Sequence, residues 1–357
     1  MNTLKSLSDL DAARFETPSI LKKVALASRK LAELKGVANS IPNQDILINT
    51  LGMQEAKDSS AIENIVTTHD ELFKDDAFPQ LTMNLAAKEV LRYRQALRIR
   101  FERVKERQLL TTNDICDIQS ELECSSAGFR KLPGTSLKNS TGDIIYTPPQ
   151  HPETLVMLMS DLEKFMNDDE VFMADPLIKM ALIHHQFESI HSFYDGNGRT
   201  GRIINVLYLV KENLLDSPLL YLSRYIVENK ADYYRLLQAV RDSHAWEEWV
   251  LYMLTAIEQT ATETITTINA IHKAFLEMKH KIRASYKFYS QDLINNLFMH
   301  PYTKIEFIEK DLGISRLTAT KYLDELTESG FLQKQKVGRA NYYINVTLNQ
   351  ILTQAGA

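Results

Sequence analysis

The chain has 357 residues, 44% of them hydrophobic, enough to bury at least one substantial core and to build two or three domains. A formal net charge of −5 excludes a global attraction to nucleic acid or anionic membrane, so binding of either would need a local patch. The two cysteines, Cys116 and Cys124, have seven residues between them, which excludes a Cys-x-x-Cys motif and a disulfide framework.

Lys5, Asp9 and Asp11 interrupt the N-terminus before any long apolar run, and no apolar stretch of about 18 residues follows. With thiols that read as reduced, this predicts a cytoplasmic protein with no membrane partner. Helical periodicity covers Ser19 to Leu51, Leu85 to Val104, Pro152 to Met166, Pro176 to Ile190 and Arg199 to Glu212, so the body is predicted to be mainly α. Between them, Gly134, Gly142, Pro148 and Pro149 punctuate a short Ile144-Ile145-Tyr146 run, which predicts a small hairpin or extended flap within Leu132 to Gln150.

From Trp246 to about Ile282, apolar residues recur mostly three or four apart and predict one long connecting helix. A packed spacer and a homodimer seam both fit it, although the β-branched Thr260 to Thr267 region needs tertiary support to stay helical. Thr303 to Leu312 and Ser315 to Ser329 then read as two helices joined by a turn at Gly313, with Ser315 as N-cap and Gly330 ending the second. Phe331 to Asn345 alternates around Lys336-Val337-Gly338-Arg339 as a two-stranded wing, so this segment resembles a winged-helix domain.

The chemistry concentrates in His191-Ser192-Phe193-Tyr194-Asp195-Gly196-Asn197-Gly198-Arg199-Thr200-Gly201-Arg202. A chance match to H-x-F-x-[DE]-G-N-G-R-x-x-R in such a chain has a probability on the order of 1 in 10^8, so a capped turn with a surface histidine does not account for the set. The preceding apolar positions predict a helix packing one face inward and delivering His191 near its end. The apolar run resumes at Ile203, which places Gly196 to Arg199 at the start of a second helix, where backbone amides and the helix dipole bind phosphate.

Gly196 and Gly198 allow the close backbone approach of an anion nest. Asp195 offers one carboxylate, which suffices for Mg²⁺ when substrate phosphates complete the coordination. Arg199 and Arg202, three apart on one face, reach phosphate oxygens. His191, with an ordinary pKa near ~6.5, can take a proton from an incoming hydroxyl. His184 and His185 lack the spacing of a zinc motif and read as packed, hydrogen-bonded side chains.

The motif resembles the signature of the Fic family, most of whose members transfer AMP from ATP to a hydroxyl of a target protein, and it matches at every defining position. The resemblance implies a Fic-type helical bundle with a small β-hairpin flap, plus the C-terminal α+β winged-helix domain. It also implies His191 as general base, Asp195 as Mg²⁺ ligand, and Gly196, Asn197 and Gly198 as the anion hole. Arg199 and Arg202 become phosphate clamps, with Thr200 and Gly201 inside the same ATP-binding segment. Ser59-Ser60-Ala61-Ile62-Glu63-Asn64 resembles the family's [ST]-x-x-x-E-[GN] inhibitory helix, in which Ser59 and Glu63 are the defining residues. A Glu63 carboxylate offered to Arg202 would neutralise the clamp. Leu137 to Pro149 corresponds to the flap that pairs with an extended target segment, and Tyr233-Tyr234 to the segment around adenine, with Tyr234 as the adenine contact.

These readings divide the chain into an N-terminal helical region with the inhibitory helix at 1–110, a catalytic core at 111–260, a connecting helix at 261–285 and a winged-helix domain at 286–357. The function they imply is a protein adenylyltransferase restrained by Glu63, with ATP, Mg²⁺ and a target protein as its reactants. Removal of AMP, or transfer of another phosphate-containing group, would use the same base. A DNA-binding regulator with the Fic-like body as sensor stays open as a second class. It is opposed by seven Lys or Arg against six Asp or Glu between Thr303 and Asn345, a poor footprint for DNA despite Arg316, Thr318, Thr320 and Lys321 on the recognition helix.

Overall fold

A computed structural model describes residues 4–77, 84–139, 141–337 and 340–355. Its helices in chain order begin with α1 (Pro18–Ala38), α2 (Gln44–Ile62), α3 (His69–Ala77), α4 (Leu85–Arg107) and α5 (Thr112–Glu123). A hairpin of β1 (Leu137–Lys138) and β2 (Ile144–Tyr146) precedes α6 (Pro152–Asn167), α7 (Pro176–Ile190), α8 (Asn197–Lys211), α9 (Leu222–Glu228), α10 (Lys230–Ser243) and the long α11 (Trp246–Ser285). There follow α12 (Gln291–Met299), β3 (Tyr302–Lys304), α13 (Ile305–Leu312), α14 (Arg316–Glu328), β4 (Leu332–Val337), β5 (Ala340–Asn345) and α15 (Val346–Ala355).

The chain divides into two compact units, one of Met1–Ala32, Asp58–Ile65 and Arg92–Ala261, the other of Glu33–Lys57, Val66–Leu91 and Thr262–Ala357. The first is built around α7. Its sequence suggests one inward face, but every residue from Leu177 to Ile190 is buried. Complete burial of a helix calls for partners for its polar side chains, and Lys179, His184, His185 and Gln186 each have one. Lys179 pairs with Asp169 at 2.8 Å, the His184 ring bonds the Tyr233 hydroxyl at 2.8 Å, and Gln186 donates to the Lys5 carbonyl at 2.8 Å. His185 bonds the Leu237 carbonyl at 3.2 Å, so both histidines pack and hydrogen-bond as their spacing suggests.

One helix boundary differs from the sequence pattern and another follows it. The helical stretch from Ser19 to Leu51 is broken at residues 39–43, where Pro42 cannot continue an α-helix and the Asn43 side chain caps α2 by accepting from the Asp45 amide at 2.9 Å. α8 starts at Asn197, with Gly196 as its left-handed N-cap at φ 75°.

In the second unit, α13 and α14 are joined through Gly313 at φ 64°, and the Ser315 hydroxyl accepts from the Thr318 amide at 3.3 Å. Thr303 is not helical as the pattern suggests. It sits in β3, an outer strand of an antiparallel sheet ordered β3-β5-β4, where Tyr302, Thr303 and Lys304 pair with Ile344, Tyr343 and Tyr342. The Thr303 hydroxyl bonds the Asn296 side chain at 2.7 Å, a contact a helical start would not provide. β4 and β5 form the expected pair of strands, while Gly338 and Arg339 of the wing turn and Ser140 of the flap lie outside the described residues. Among the described residues no helix is long and apolar enough to cross a membrane.

Trp249 fixes the first unit at the level of α7. It is fully buried, donates to the Ala181 carbonyl at 2.8 Å, and stacks on the His184 ring at 6.0 Å between centroids. Trp249→Ala is expected to lower the unfolding free energy by ~3–5 kcal/mol in chemical denaturation, the range for emptying a large aromatic site. A loss below ~1 kcal/mol would show that the surroundings of α7 collapse without cost.

Candidate functional site

α7 ends by turning His191 into the left-handed region at φ 49° and ψ 56°, with its amide still bonded to the Phe187 carbonyl at 3.0 Å. A residue with a Cβ in that conformation costs of order 1 kcal/mol or more, so the surroundings must hold it. Arg130 does so, donating from Nε to the His191 carbonyl at 2.8 Å and from its amide to the Ser192 carbonyl at 2.9 Å. The same guanidinium also donates to the Pro149 carbonyl, tying the motif loop to the end of the flap. Burial, with Arg130 and Arg241 adding positive charge nearby, lowers the His191 pKa to about 4.

The loop is closed from its other end by Asn197. Its side chain accepts from the Phe193 amide and donates to the Phe193 carbonyl, both at 2.9 Å, so its amide group is spent on shaping the turn. Phe193 is fully buried against Phe129 and Phe187. Asp195 is exposed, and one of its carboxylate oxygens accepts from the Gly196 amide at 2.7 Å. The second oxygen is what the residue offers a hard cation, and one carboxylate beside a phosphate site fits Mg²⁺ chemistry.

Arg199 and Arg202 project from the first two turns of α8 and are both buried. Glu63, just past the end of α2, bridges them: its two oxygens lie 2.8 Å from Arg199 Nε and 2.9 Å from Arg202 NH2. Arg202 also donates from Nε to the Ser59 hydroxyl at 2.7 Å and from NH2 to the Ser59 carbonyl at 2.9 Å. Burial works against the Arg202 charge, yet Glu63 holds the guanidinium protonated above its ordinary range. A methyl group at Gly198 would stand 2.7 Å from the Glu63 carboxylate and 3.0 Å from Arg202, so glycine there is what admits the carboxylate over the helix start. The Lys230 ammonium caps the end of α2 by donating to the Ile62 carbonyl at 2.7 Å.

The residues expected from the motif are thus gathered in one unit, but not all face the cradle. Thr200 is fully buried. A methyl at Gly201 would meet the Glu188 carboxylate at 3.0 Å and Phe187 at 3.1 Å, so that glycine serves the close packing of α7 on α8. Of the two tyrosines on α10, Tyr233 is a packed, hydrogen-bonded core residue, whereas Tyr234 is 46% exposed and feels the charges of Arg202 and Glu63.

Four residues of the site carry no sequence signal. Arg130 is far from the motif in the chain, and nothing in its spacing points to His191. Glu123, at the end of α5, pairs with Arg199 NH2 at 2.8 Å. Arg241 lies 4.0 Å over the Tyr146 ring and donates to the Ser189 hydroxyl at 3.1 Å, while the Tyr146 hydroxyl donates to the Ser189 carbonyl at 2.9 Å, so flap strand β2 is anchored on the last turn of α7. Glu188 is buried, and desolvation raises its pKa to about 7 against the opposing pull of Arg202 and Arg241.

In the second unit, the cations around α14 already have acidic partners. Arg316 pairs with Glu306 at 2.7 Å and Glu309 at 3.6 Å, Lys321 with Glu325 at 3.9 Å, and Lys334 with Asp324 at 2.8 Å. A DNA backbone would have to displace these pairs to use them.

Comparison with known proteins places these features in one family. Residues 21–102 match the model of the Fic/DOC family N-terminal region, 109–209 that of the Fic/DOC family, and 275–348 that of the protein adenylyltransferase SoFic-like C-terminal domain. The protein adenylyltransferase fic-1 of Caenorhabditis elegans is 32% identical over 89 residues, 25% of this chain and 16% of that protein. Protein adenylyltransferase Fic of Aedes aegypti is 28% identical over 101 residues, 28% of this chain and 20% of that protein. The chain therefore aligns with a minor part of these curated relatives' length. A crystal structure of a Fic family protein from Desulfovibrio desulfuricans G20 shares the fold with a TM-score of 0.57 at 20% identity, over 92% of this chain and 96% of that one. With its N-terminal, central and C-terminal segments each matching a Fic model, and the full motif from His191 to Arg202 at the start of α8, this chain belongs to the Fic family.

Proposed function

We propose that this chain transfers AMP from ATP to a hydroxyl side chain of a target protein, and that Glu63 restrains the transfer. The observation that carries this reading is the Glu63 carboxylate bound to both Arg199 and Arg202 over Gly198, at a helix start suited to phosphate. Two buried guanidiniums held by one internal carboxylate are a site for a multiply charged anion, and a polyphosphate offers them the same kind of oxygen.

In this reading His191 takes the proton of the acceptor hydroxyl, whose oxygen attacks the α-phosphorus as the bond to the β-phosphate oxygen breaks and pyrophosphate leaves. The first-turn amides of α8, which have no partner within the helix, and the two arginines hold the charge on the phosphates. Mg²⁺, held through Asp195, would supply charge neutralisation on the phosphates. Tyr234, half-exposed on α10, offers its ring to adenine. The acceptor arrives along the flap, whose Ile144 and Ile145 are exposed and whose two-stranded sheet has an outer edge to which a strand can be added.

Glu63→Gly is expected to raise AMP transfer by at least ~10-fold, the effect of relieving ~1.4 kcal/mol of competition for the arginines. His191→Ala in that background is expected to lose at least ~100-fold, the lower range for removing a general base. Both are read by mass spectrometry and by label from α-phosphate-labelled ATP. Equal labelling by the wild type and Glu63→Gly would overturn the inhibitory role of Glu63.

The lowered His191 pKa sets the pH dependence. A histidine held to about 4 is neutral, and competent as a base, throughout the range above that value. For Glu63→Gly, kcat/KM, which reports the free enzyme, is expected to stay within ~2-fold between pH ~6 and ~8. A fall on acidification with a midpoint near ~6.5 would mean that His191 titrates as an ordinary histidine.

A further inference from the structure

Arg199 is held by two carboxylates, and one of them lies outside the inhibitory helix. Glu63 Oε2 is 2.8 Å from Nε, and Glu123 Oε1 is 2.8 Å from NH2. Glu123 is the last residue of α5, a helix started by a reciprocal cap between Thr111 and Asp114 and ended by Cys124 in the left-handed region. Its carboxylate is therefore delivered by a rigid element, with its side chain 18% exposed. Glu123 Oε1 also lies against the motif loop, where a methyl at Gly196 would overlap it. One turn earlier, Gln119 donates to the Asp195 carbonyl at 3.2 Å, so α5 grips the loop beside the arginine it holds.

The two carboxylates load different nitrogens of one planar guanidinium. Its donors form a fixed fork, so holding NH2 also sets the direction of the Nε–H. Glu63 comes from outside the core and can be displaced without breaking the Glu123 contact. Glu123 comes from α5 and keeps its place when Glu63 withdraws.

We infer that Glu123 is a positioning residue for AMP transfer: by its hydrogen bond to one end of the guanidinium it keeps Arg199 beside the place where Glu63 now sits and where an ATP phosphate would replace it. This rests on the AMP-transfer reading above. Glu123 does not touch the nucleotide, and its negative charge is taken up by Arg199. If it were instead a second competitor for the cradle, its removal would strengthen phosphate binding, which is the opposite sign.

The test uses the Glu63→Gly chain and compares Glu123, Glu123→Gln and Glu123→Ala. Calorimetric titrations with Mg²⁺-ATP and with inorganic tripolyphosphate are paired with KM and kcat for AMP transfer. Glu123→Ala is expected to weaken both ligands and to raise the KM for ATP by ~10-fold, a typical effect of losing one charge-assisted hydrogen bond. Glu123→Gln, which keeps an oxygen for Arg199 NH2, is expected to stay within ~3-fold of the parent, since most of the orienting bond remains. Unchanged or tighter binding by Glu123→Ala would overturn the inference, as would equal losses in the two variants. Failure of the Glu63→Gly parent to bind tripolyphosphate would overturn it too, because the cradle would not be a phosphate site. ATP binding without AMP transfer would sink the transferase reading alone, with the binding ratios still deciding the role of Glu123.

Discussion

The site is organised by one interaction, the carboxylate of Glu63 shared between two buried arginines at the start of α8. An unpaired buried charge is costly, of order 3–5 kcal/mol when a partner is removed, so two arginines sunk into the first turns of a helix need an anion above them. The surroundings are arranged to admit one. Gly198 leaves room for it, Ser59 fixes the orientation of Arg202 from one turn earlier on α2, and Lys230 secures the end of that helix. Glu123, Arg199, Glu63 and Arg202 then form a row of alternating charge. In the proposed reading an entering phosphate would displace one member of the row without changing its pattern.

The same burial that makes the arginines demand an anion sets the proton chemistry around them. Desolvation lowers His191 to about 4 and raises Glu188 to about 7, because each loses the solvent that stabilises its charged form. A neutral histidine at the end of α7 is ready to accept a proton, and Arg130 holds it at a backbone angle that no helix would give it. Arg130 reaches both the motif loop and the flap, and Arg241 joins the flap tyrosine to the last turn of α7. The backbone of His191 and the flap are therefore parts of one hydrogen-bonded assembly.

Much of this was legible in the sequence because it is local. The motif from His191 to Arg202 announces a helix end, a turn and a helix start through glycines and apolar spacing, and the structure has that order. Ser59 and Glu63 were legible only through the resemblance of their segment to the family's inhibitory motif, and Arg199 as a second partner for Glu63 was not legible at all. Glu123, Arg130, Arg241 and Glu188 escaped because each acts through tertiary contact with a distant segment, and an isolated acid or arginine looks like any surface charge. The strand at Thr303 was lost for a related reason: three residues carry too little periodicity, and their pairing with β5 decides their conformation. The complete burial of α7 was likewise hidden, since Lys179, Gln186 and Glu188 read as polar, outward positions in the sequence.

The central claim is that Glu63 occupies the place of an ATP phosphate, and the most direct test is a crystal structure of Glu63→Gly with Mg²⁺ and an ATP analogue that cannot be cleaved at the α-phosphate. The account predicts a phosphate oxygen within about 3 Å of Arg199 Nε and Arg202 NH2, the atoms that now hold Glu63. Phosphates bound elsewhere, with either guanidinium turned away from them, would contradict it.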